Sequence, residues 1–238
     1  MLQTMSNFPR YAIYYLPPPG SVLDRFGAAL LGYDVFSGAD VPFPPEMLEA
    51  VPDWAEVTTD PRKYGFHATL KAPTALAPGL TEAELLWACA TFAETPRAIP
   101  VITPAVQAIG SFIALMPAAA SAELEQLAAD CVRSFDSFRA PLSAEDRARR
   151  KPAQLTPRQV QYLDQWGYPY VMEEFRFHMT LTGSLPPDRQ QELLGRLREQ
   201  FAALDLQTLA IDRIAVCRQD SAGERFRSIG QFQLRPML

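Results

Sequence analysis

The string Phe-His-x-Thr-Leu occurs twice in this 238-residue chain, as Phe66-His67-Ala68-Thr69-Leu70 and as Phe177-His178-Met179-Thr180-Leu181. These two copies hold the chain's only histidines, and no other stretch repeats so closely. Each copy is strand-like and is followed by a loop and a helical pattern, so the two read as equivalent parts of an internal duplication 111 residues apart. That predicts a pseudo-symmetric fold. Side chains alternate across a strand, which puts His67 and Thr69 on one face with Phe66, Ala68 and Leu70 on the other, and divides the second copy in the same way. Apolar residues then face the core. An imidazole and a hydroxyl stand about 7 Å apart along each strand, and a twofold axis would bring the two pairs together across a cleft.

The elements around these strings follow from periodicity and punctuation. Arg10 to Leu16 reads as a strand stopped by Pro17-Pro18-Pro19, and Ser21 caps a helix that runs to about Leu31 and stops at Gly32. Phe66 to Lys71 reads as a strand, and Thr81-Glu82-Ala83-Glu84 opens a helix ending near Pro96. Pro100 to Met116 contains two short β-like runs broken at Gly110, after which Leu124, Leu127, Cys131 and Phe135 trace a helix face. Residues 139–174 are basic, polar and aromatic and read as a helical insertion or lid. Phe175 to Leu181 is strand-like, Pro186-Pro187 starts an amphipathic helix through Phe201, and Leu209 to Arg218 with Arg225 to Leu234 form a final hairpin turning near Asp220 to Gly223. The prediction is a single two-lobed α+β domain over residues 1–238. It consists of antiparallel sheets in a bilobal, pseudo-twofold arrangement flanked by helices, with a central cleft.

Composition narrows the function. An apolar fraction of 48% and a charged fraction of 21% are ordinary for a globular protein. The amino terminus has neither a basic start nor a continuous apolar stretch, and nothing later could span a bilayer, so a cytoplasmic protein without membrane association is expected. Cys89, Cys131 and Cys217 are odd in number and widely spaced, which predicts buried free thiols. A net charge of −5 argues against extended nucleic acid as a partner and leaves room for a small phosphorylated substrate met by a few local cations.

The polar face of the two strings suits phosphoryl chemistry. One neutral imidazole can take a proton from an attacking oxygen, an imidazolium can protonate the leaving oxygen, and the threonines can donate to the non-bridging oxygens. A catalytic zinc site would be at least one ligand short, because neither string contains Asp or Glu, so no metal or cofactor is expected. A lone strand histidine is more often structural; the duplicated hydroxyl partner reverses that weighting here.

At these strings the sequence resembles the two-histidine phosphoesterase superfamily, marked by paired His-x-Thr/Ser motifs on strands of a bilobal α+β fold. The stretches Tyr64-Gly65-Phe66-His67 to Lys71-Ala72-Pro73 and Trp166-Gly167-Tyr168-Pro169-Tyr170 leading into Phe175-Arg176-Phe177-His178 are similar to a bacterial branch associated with phosphonate metabolism. The resemblance implies a metal-independent hydrolase in which His67, Thr69, His178 and Thr180 are catalytic. Its substrate would be a small cyclic phosphodiester, a cyclic nucleotide or cyclic ribose phosphate, and it would be linked to phosphonate-degradation proteins. The alternatives are an RNA-end 2′-5′ phosphodiesterase or ligase-like enzyme, and a non-catalytic nucleotide-binding or scaffold protein. Candidates for binding substrate are Arg176, by a bidentate phosphate contact, Tyr168 and Tyr64, by stacking, and Lys71, although a lysine at a strand end more often points to water. The Arg147 to Lys151 run steers anions or forms a solvated helix face.

Overall fold

A computed structural model describes residues 8–237. The amino-terminal residues 1–7, part of the segment read as lacking a leader, lie outside them. Nine strands and nine α-helices follow in chain order among the described residues: β1 (Arg10–Tyr15), α1 (Val22–Leu31), α2 (Pro45–Ala50), α3 (Trp54–Val57), α4 (Thr59–Arg62), β2 (Ala68–Ala75), α5 (Glu82–Glu94), β3 (Val101–Ile102), β4 (Pro104–Ile109), β5 (Phe112–Pro117), α6 (Ala122–Ser134), α7 (Ala144–Arg149), α8 (Pro157–Trp166), β6 (Met179–Thr180), α9 (Pro187–Ala202), β7 (Leu209–Ala210), β8 (Arg213–Gln219) and β9 (Arg227–Gln233).

Seven strands form one antiparallel sheet in the order β4-β5-β6-β2-β1-β8-β9, with helices packed on it. The expected antiparallel α+β architecture is what forms. Its two halves meet where β2 pairs with β6, and the registers on either side repeat. Tyr14 lies opposite Thr69 and Tyr15 opposite Ala68; in the other half Ala114 lies opposite Thr180 and Leu115 opposite Met179. Each half runs strand, helical connection, a strand entered directly from a histidine, helix: β1 and β2 followed by α5, and β5 and β6 followed by α9. The duplication seen in the sequence is therefore a duplication of register, not only of composition.

Capping explains where the helices begin. Ser21 accepts from the Asp24 amide at the start of α1, and Thr81 and Glu84 form a reciprocal capping box at α5. The apolar faces of α1, α5, α6 and α9 enter one core with Tyr11, Ile13 and Tyr15 of β1, while Ala12, Tyr14 and Leu16 pack on the other face with Tyr33, Val35, Cys217 and Phe226. The three cysteines are free and buried, as expected.

Three expectations need correction. The strands that follow the histidines start later than predicted: β2 starts at Ala68 and runs on to Ala75, and β6 spans only Met179 and Thr180, so both histidines stand just before their strands. The carbonyls of Gly65 and Arg176 accept hydrogen bonds from histidine rings instead of extending the ladder. Leu209–Ala210 does not belong to the final hairpin but pairs with Val101–Ile102 in a separate two-stranded sheet. Lys71 is buried rather than directed to water, because the β1–β2 register shifts between Ile13 and Tyr14 and again between Tyr11 and Ile13. Such a bulge breaks the alternation of faces, and Lys71 lies opposite core-facing Ile13. Its ammonium donates to Asp136 at 3.0 Å and to the Val132 carbonyl at 3.2 Å.

Phe66, immediately before His67, is anchored by a close approach: a Cβ on Gly27 of α1 would collide with the Phe66 ring. Only glycine at position 27 lets α1 lie against the motif. Gly27→Ala is expected to lower stability by about 1–3 kcal/mol through overpacking, read as a lower midpoint in chemical denaturation, whereas Gly195→Ala, whose added Cβ meets nothing within 4 Å, should not.

Candidate active site

The alternation predicted for the two strings is what the chain adopts. Phe66, Ala68, Leu70, Phe177, Met179 and Leu181 are buried in the main core, while His67, Thr69, His178 and Thr180 are half-buried on the other face. Ala68 pairs directly with Met179 in the antiparallel β2–β6 ladder. Continuing that register by one residue either way sets His67 opposite Thr180 and Thr69 opposite His178. Directly opposed side chains in such a ladder have Cβ atoms about 5 Å apart, so the four polar groups form one patch around the local twofold axis. The histidines are close enough that a charge on His178 would act on His67.

Each ring is oriented by the carbonyl two residues before it. His67 Nδ1–H donates to Gly65 O at 2.9 Å, and His178 Nδ1–H donates to Arg176 O at 2.7 Å. Both rings thereby hold the proton on Nδ1 and present Nε2 for chemistry. His67 Nε2 accepts from the Thr69 hydroxyl at 3.2 Å. Gly65 has φ of 73°, and a Cβ there would stand 2.8 Å from Val35, so the carbonyl that orients His67 sits on a turn only glycine fits.

The symmetry is broken at one position. Tyr14 of the first half corresponds by register to Ala114 of the second. The fully buried Tyr14 ring lies 3.9 Å from the His67 ring, with Tyr64 at 5.9 Å on the same histidine, whereas His178 has Phe112 at 5.8 Å and lines an open cleft of about 490 Å³. Burial pushes the His67 imidazole down to about 4, with the His178 charge adding to the fall and the Gly65 carbonyl opposing it. Burial also lowers His178, against the pull of the Arg176 carbonyl.

The remaining candidates divide. Arg176, Tyr168 and Tyr170 line the His178 cleft with Thr69. Arg176 Nη1 donates to the Glu173 and Phe175 carbonyls, so this residue also ties down the turn whose carbonyl holds His178. Tyr64 stacks on Phe226 and borders a second, adjoining cleft together with Tyr168 and Arg10. Lys71 reaches that second cleft only with its ammonium already bound by Asp136. Thr182, two residues past β6, is buried and bonded to the Ile113 amide and the Gly183 carbonyl, a structural use of its hydroxyl. The basic run splits: Arg147 pairs with Asp164 at the surface, while Arg149 and Arg150 turn into the second cleft. Tyr14, Gly65 and Phe112 escaped the sequence reading. Their signal was the position of Tyr14 at the middle of a strand buried on both faces and a glycine directly before a Phe-His pair. Among the described residues, no cluster of three or more His, Cys, Asp or Glu side chains is arranged to hold a metal ion, and no helix is long and apolar enough to cross a membrane.

Residues 69–227 match the family described as "Protein of unknown function (DUF1045)". The chain belongs to this family. The sequence is 36% identical over 229 residues to a ribose 1,5-bisphosphate phosphokinase PhnN of Janthinobacterium sp. (strain Marseille), covering 92% of this chain and 49% of that protein. It is 32% identical over 218 residues to a protein of the same name from Laribacter hongkongensis (strain HLHK9), covering 92% of the chain and 50% of the relative. The chain thus spans about half the length of the curated relatives it matches. Among solved structures, a conserved protein of unknown function from Agrobacterium tumefaciens str. C58 aligns with a TM-score of 0.45 at 13% identity, over 93% of this chain and 85% of that one.

A buried neutral histidine makes stability sensitive to acid. Between the ordinary histidine value near 6.5 and the folded value of about 4, the unfolded chain binds a proton that folded His67 refuses, so stability rises with pH across this window. Thermal melts from pH 7 to pH 4 should show a steeper loss for the wild type than for His67→Asn; parallel curves would mean that His67 is not held neutral by burial.

Proposed function

We propose that this DUF1045 chain is a metal-independent phosphodiesterase that opens a small cyclic phosphodiester by acid–base catalysis between His67 and His178. The observation that carries the reading is the pairing of Ala68 with Met179, which sets each histidine across from the other motif's threonine on one polar face. A five-membered cyclic phosphate centred on that face meets two proton-transfer nitrogens and two hydroxyl donors. Water attacks phosphorus while His67 Nε2 takes its proton; the phosphorus–oxygen bond of the ring breaks, and protonated His178 delivers a proton to the departing sugar oxygen. Thr69 and Thr180 donate to the non-bridging oxygens as charge builds there. One water is added, one monoester forms, and solvent resets the two imidazoles.

The surroundings of the two rings support one assignment of roles. His67, under the Tyr14 ring, is kept neutral by burial and serves as base once the Thr69 hydroxyl turns from its Nε2 to the phosphate. His178 opens onto the cleft, where an anionic phosphate raises its proton affinity and makes it the acid. Residues 139–174, which supply Arg149, Arg150, Tyr168 and Tyr170 to the two clefts, act as a cover over the bound ring.

The two curated relatives carry the name of a kinase, and this chain spans half of them. Its three lysines, Lys63, Lys71 and Lys151, follow no glycine, and no two of its glycines are separated by a single residue, so neither G-x-x-x-x-G-K nor G-x-G-x-x-G is present. We assign the kinase to the half this chain does not span. A fused partner that handles ribose bisphosphate supports a cyclic ribose phosphate over a cyclic nucleotide as substrate, and the association of that name with phosphonate metabolism supports a role in carbon–phosphorus compound breakdown.

The test is hydrolysis of 2′,3′-cyclic nucleotides and ribose 1,2-cyclic phosphate in excess chelator. Turnover should survive chelation, with ribose 1,2-cyclic phosphate preferred, and fall by about 100-fold or more in His67→Ala and in His178→Ala. Thr69→Ala and Thr180→Ala should lose roughly 10- to 1000-fold. Full activity in either histidine variant would overturn the mechanism.

A further inference from the structure

Beside the histidine cleft lies a second one of about 200 Å³ that shares Ala72, Val132, Tyr168 and Val171 with it. Five cationic side chains reach its wall: Arg10, Lys71, Arg139, Arg149 and Arg150, with a single carboxylate, Asp146. In a chain of net charge −5 this is a local inversion of sign. Three of the five already have a carboxylate partner. Lys71 and Arg139 share Asp136 at 3.0 and 2.9 Å, and Arg149 binds Asp146 at 2.6 Å.

The other two cations have no carboxylate within ion-pair distance among the described residues. Arg150 lies over the Tyr168 ring at 4.9 Å, and Arg10 donates to the Pro73 carbonyl at 3.4 Å and lies 5.9 Å from the Phe8 ring. Arg10 is moreover half-buried, and burial together with repulsion from Arg150 and Arg149 pulls its proton affinity down. A fold that gathers partly desolvated guanidinium groups without counterions is arranged to receive an anion, since an uncompensated buried charge is costly until a partner arrives. Arg10 alternates on β1 with Ala12 and Tyr14, so it shares the face of the ring that packs on His67, about 13 Å further along the strand. The two clefts adjoin at Ala72, Val132, Tyr168 and Val171, so a ligand with two anionic ends can lie across both.

We propose that Arg10 and Arg150 form a subsite for a second phosphate on the substrate, so that the enzyme acts on a cyclic sugar phosphate that carries a further phosphomonoester at its other end. The subsite rests on the cyclic phosphodiesterase reading above and adds the chemical class of the substrate. Tyr64 and Tyr168, which border the second cleft, flank the sugar between the two anions.

The test compares ribose 1,2-cyclic phosphate with and without a 5-phosphate. Wild type should favour the 5-phosphorylated compound by about 100-fold or more in kcat/KM, and Arg10→Gln/Arg150→Gln should bring that ratio to within a few-fold of one, with Arg150→Gln alone moving it part of the way. A purely structural defect lowers both substrates together and leaves the ratio intact; that result, or a wild type without preference, overturns the subsite. Calorimetric binding of ribose 5-phosphate separates this from catalysis. It should persist in His67→Ala/His178→Ala and weaken at least about 10-fold in the arginine double variant. If neither cyclic compound turns over but ribose 5-phosphate binds in this arginine-dependent way, the phosphodiesterase reading fails and the anion site stands; if ribose 5-phosphate binding ignores the arginines, the site is refuted whatever the turnover.

Discussion

The pairing of Ala68 with Met179 is the contact on which the rest of the structure turns. It is a small contact, the middle of two short strings. Because side chains alternate with period two, it fixes at once which four residues share the polar face and which six enter the core. A slip of one residue would send the histidines into apolar surroundings and expose Phe66, Leu70, Phe177 and Leu181. Those side chains are all nearly fully buried, and each contributes on the order of 2 kcal/mol to holding the register. The polar constellation is thus kept in place by the apolar residues interleaved with it. The carbonyls of Gly65 and Arg176 complete the arrangement by fixing both rings in the same tautomer.

Symmetry of backbone with asymmetry of side chain is the second theme. The β1–β2 and β5–β6 registers are equivalent, yet Tyr14 stands where the other half has Ala114. One aromatic ring is enough to bury the first imidazole and leave the second facing an open cleft. Burial lowers the proton affinity of both imidazoles, and the charge on His178 presses further on His67, so the two are not equivalent. Arg10 lies on the same strand as Tyr14, so β1 contributes both to the state of His67 and to the cationic end of the adjoining cleft.

Much of this was legible in the sequence, because the duplicated strings combine a periodicity that decides faces with the chain's only histidines. The α+β architecture, the helices capped by Ser21 and Thr81, the core faces of α6 and α9 and the half-buried motif residues all follow from local pattern. What was not legible depends on distant partners. The bulge that turns Lys71 into the core arises from the pairing of β1 with β2, and nothing near position 71 announces it. Leu209–Ala210 leaves the final hairpin because Val101–Ile102 offers another edge. Arg150 reads as one cation in a solvated run until α7 and the turn after it place it over Tyr168, while its neighbour Arg147 is claimed by Asp164.

The central claim is that His67 and His178 act as a base and an acid of different proton affinity. The measurement that tests it most directly is the pH dependence of kcat/KM for the preferred cyclic phosphate in excess chelator, for wild type, His67→Ala and His178→Ala. The account predicts a bell for the wild type, loss of the acid limb in the His67 variant and loss of the alkaline limb in the His178 variant. A profile whose two limbs survive both substitutions would contradict it.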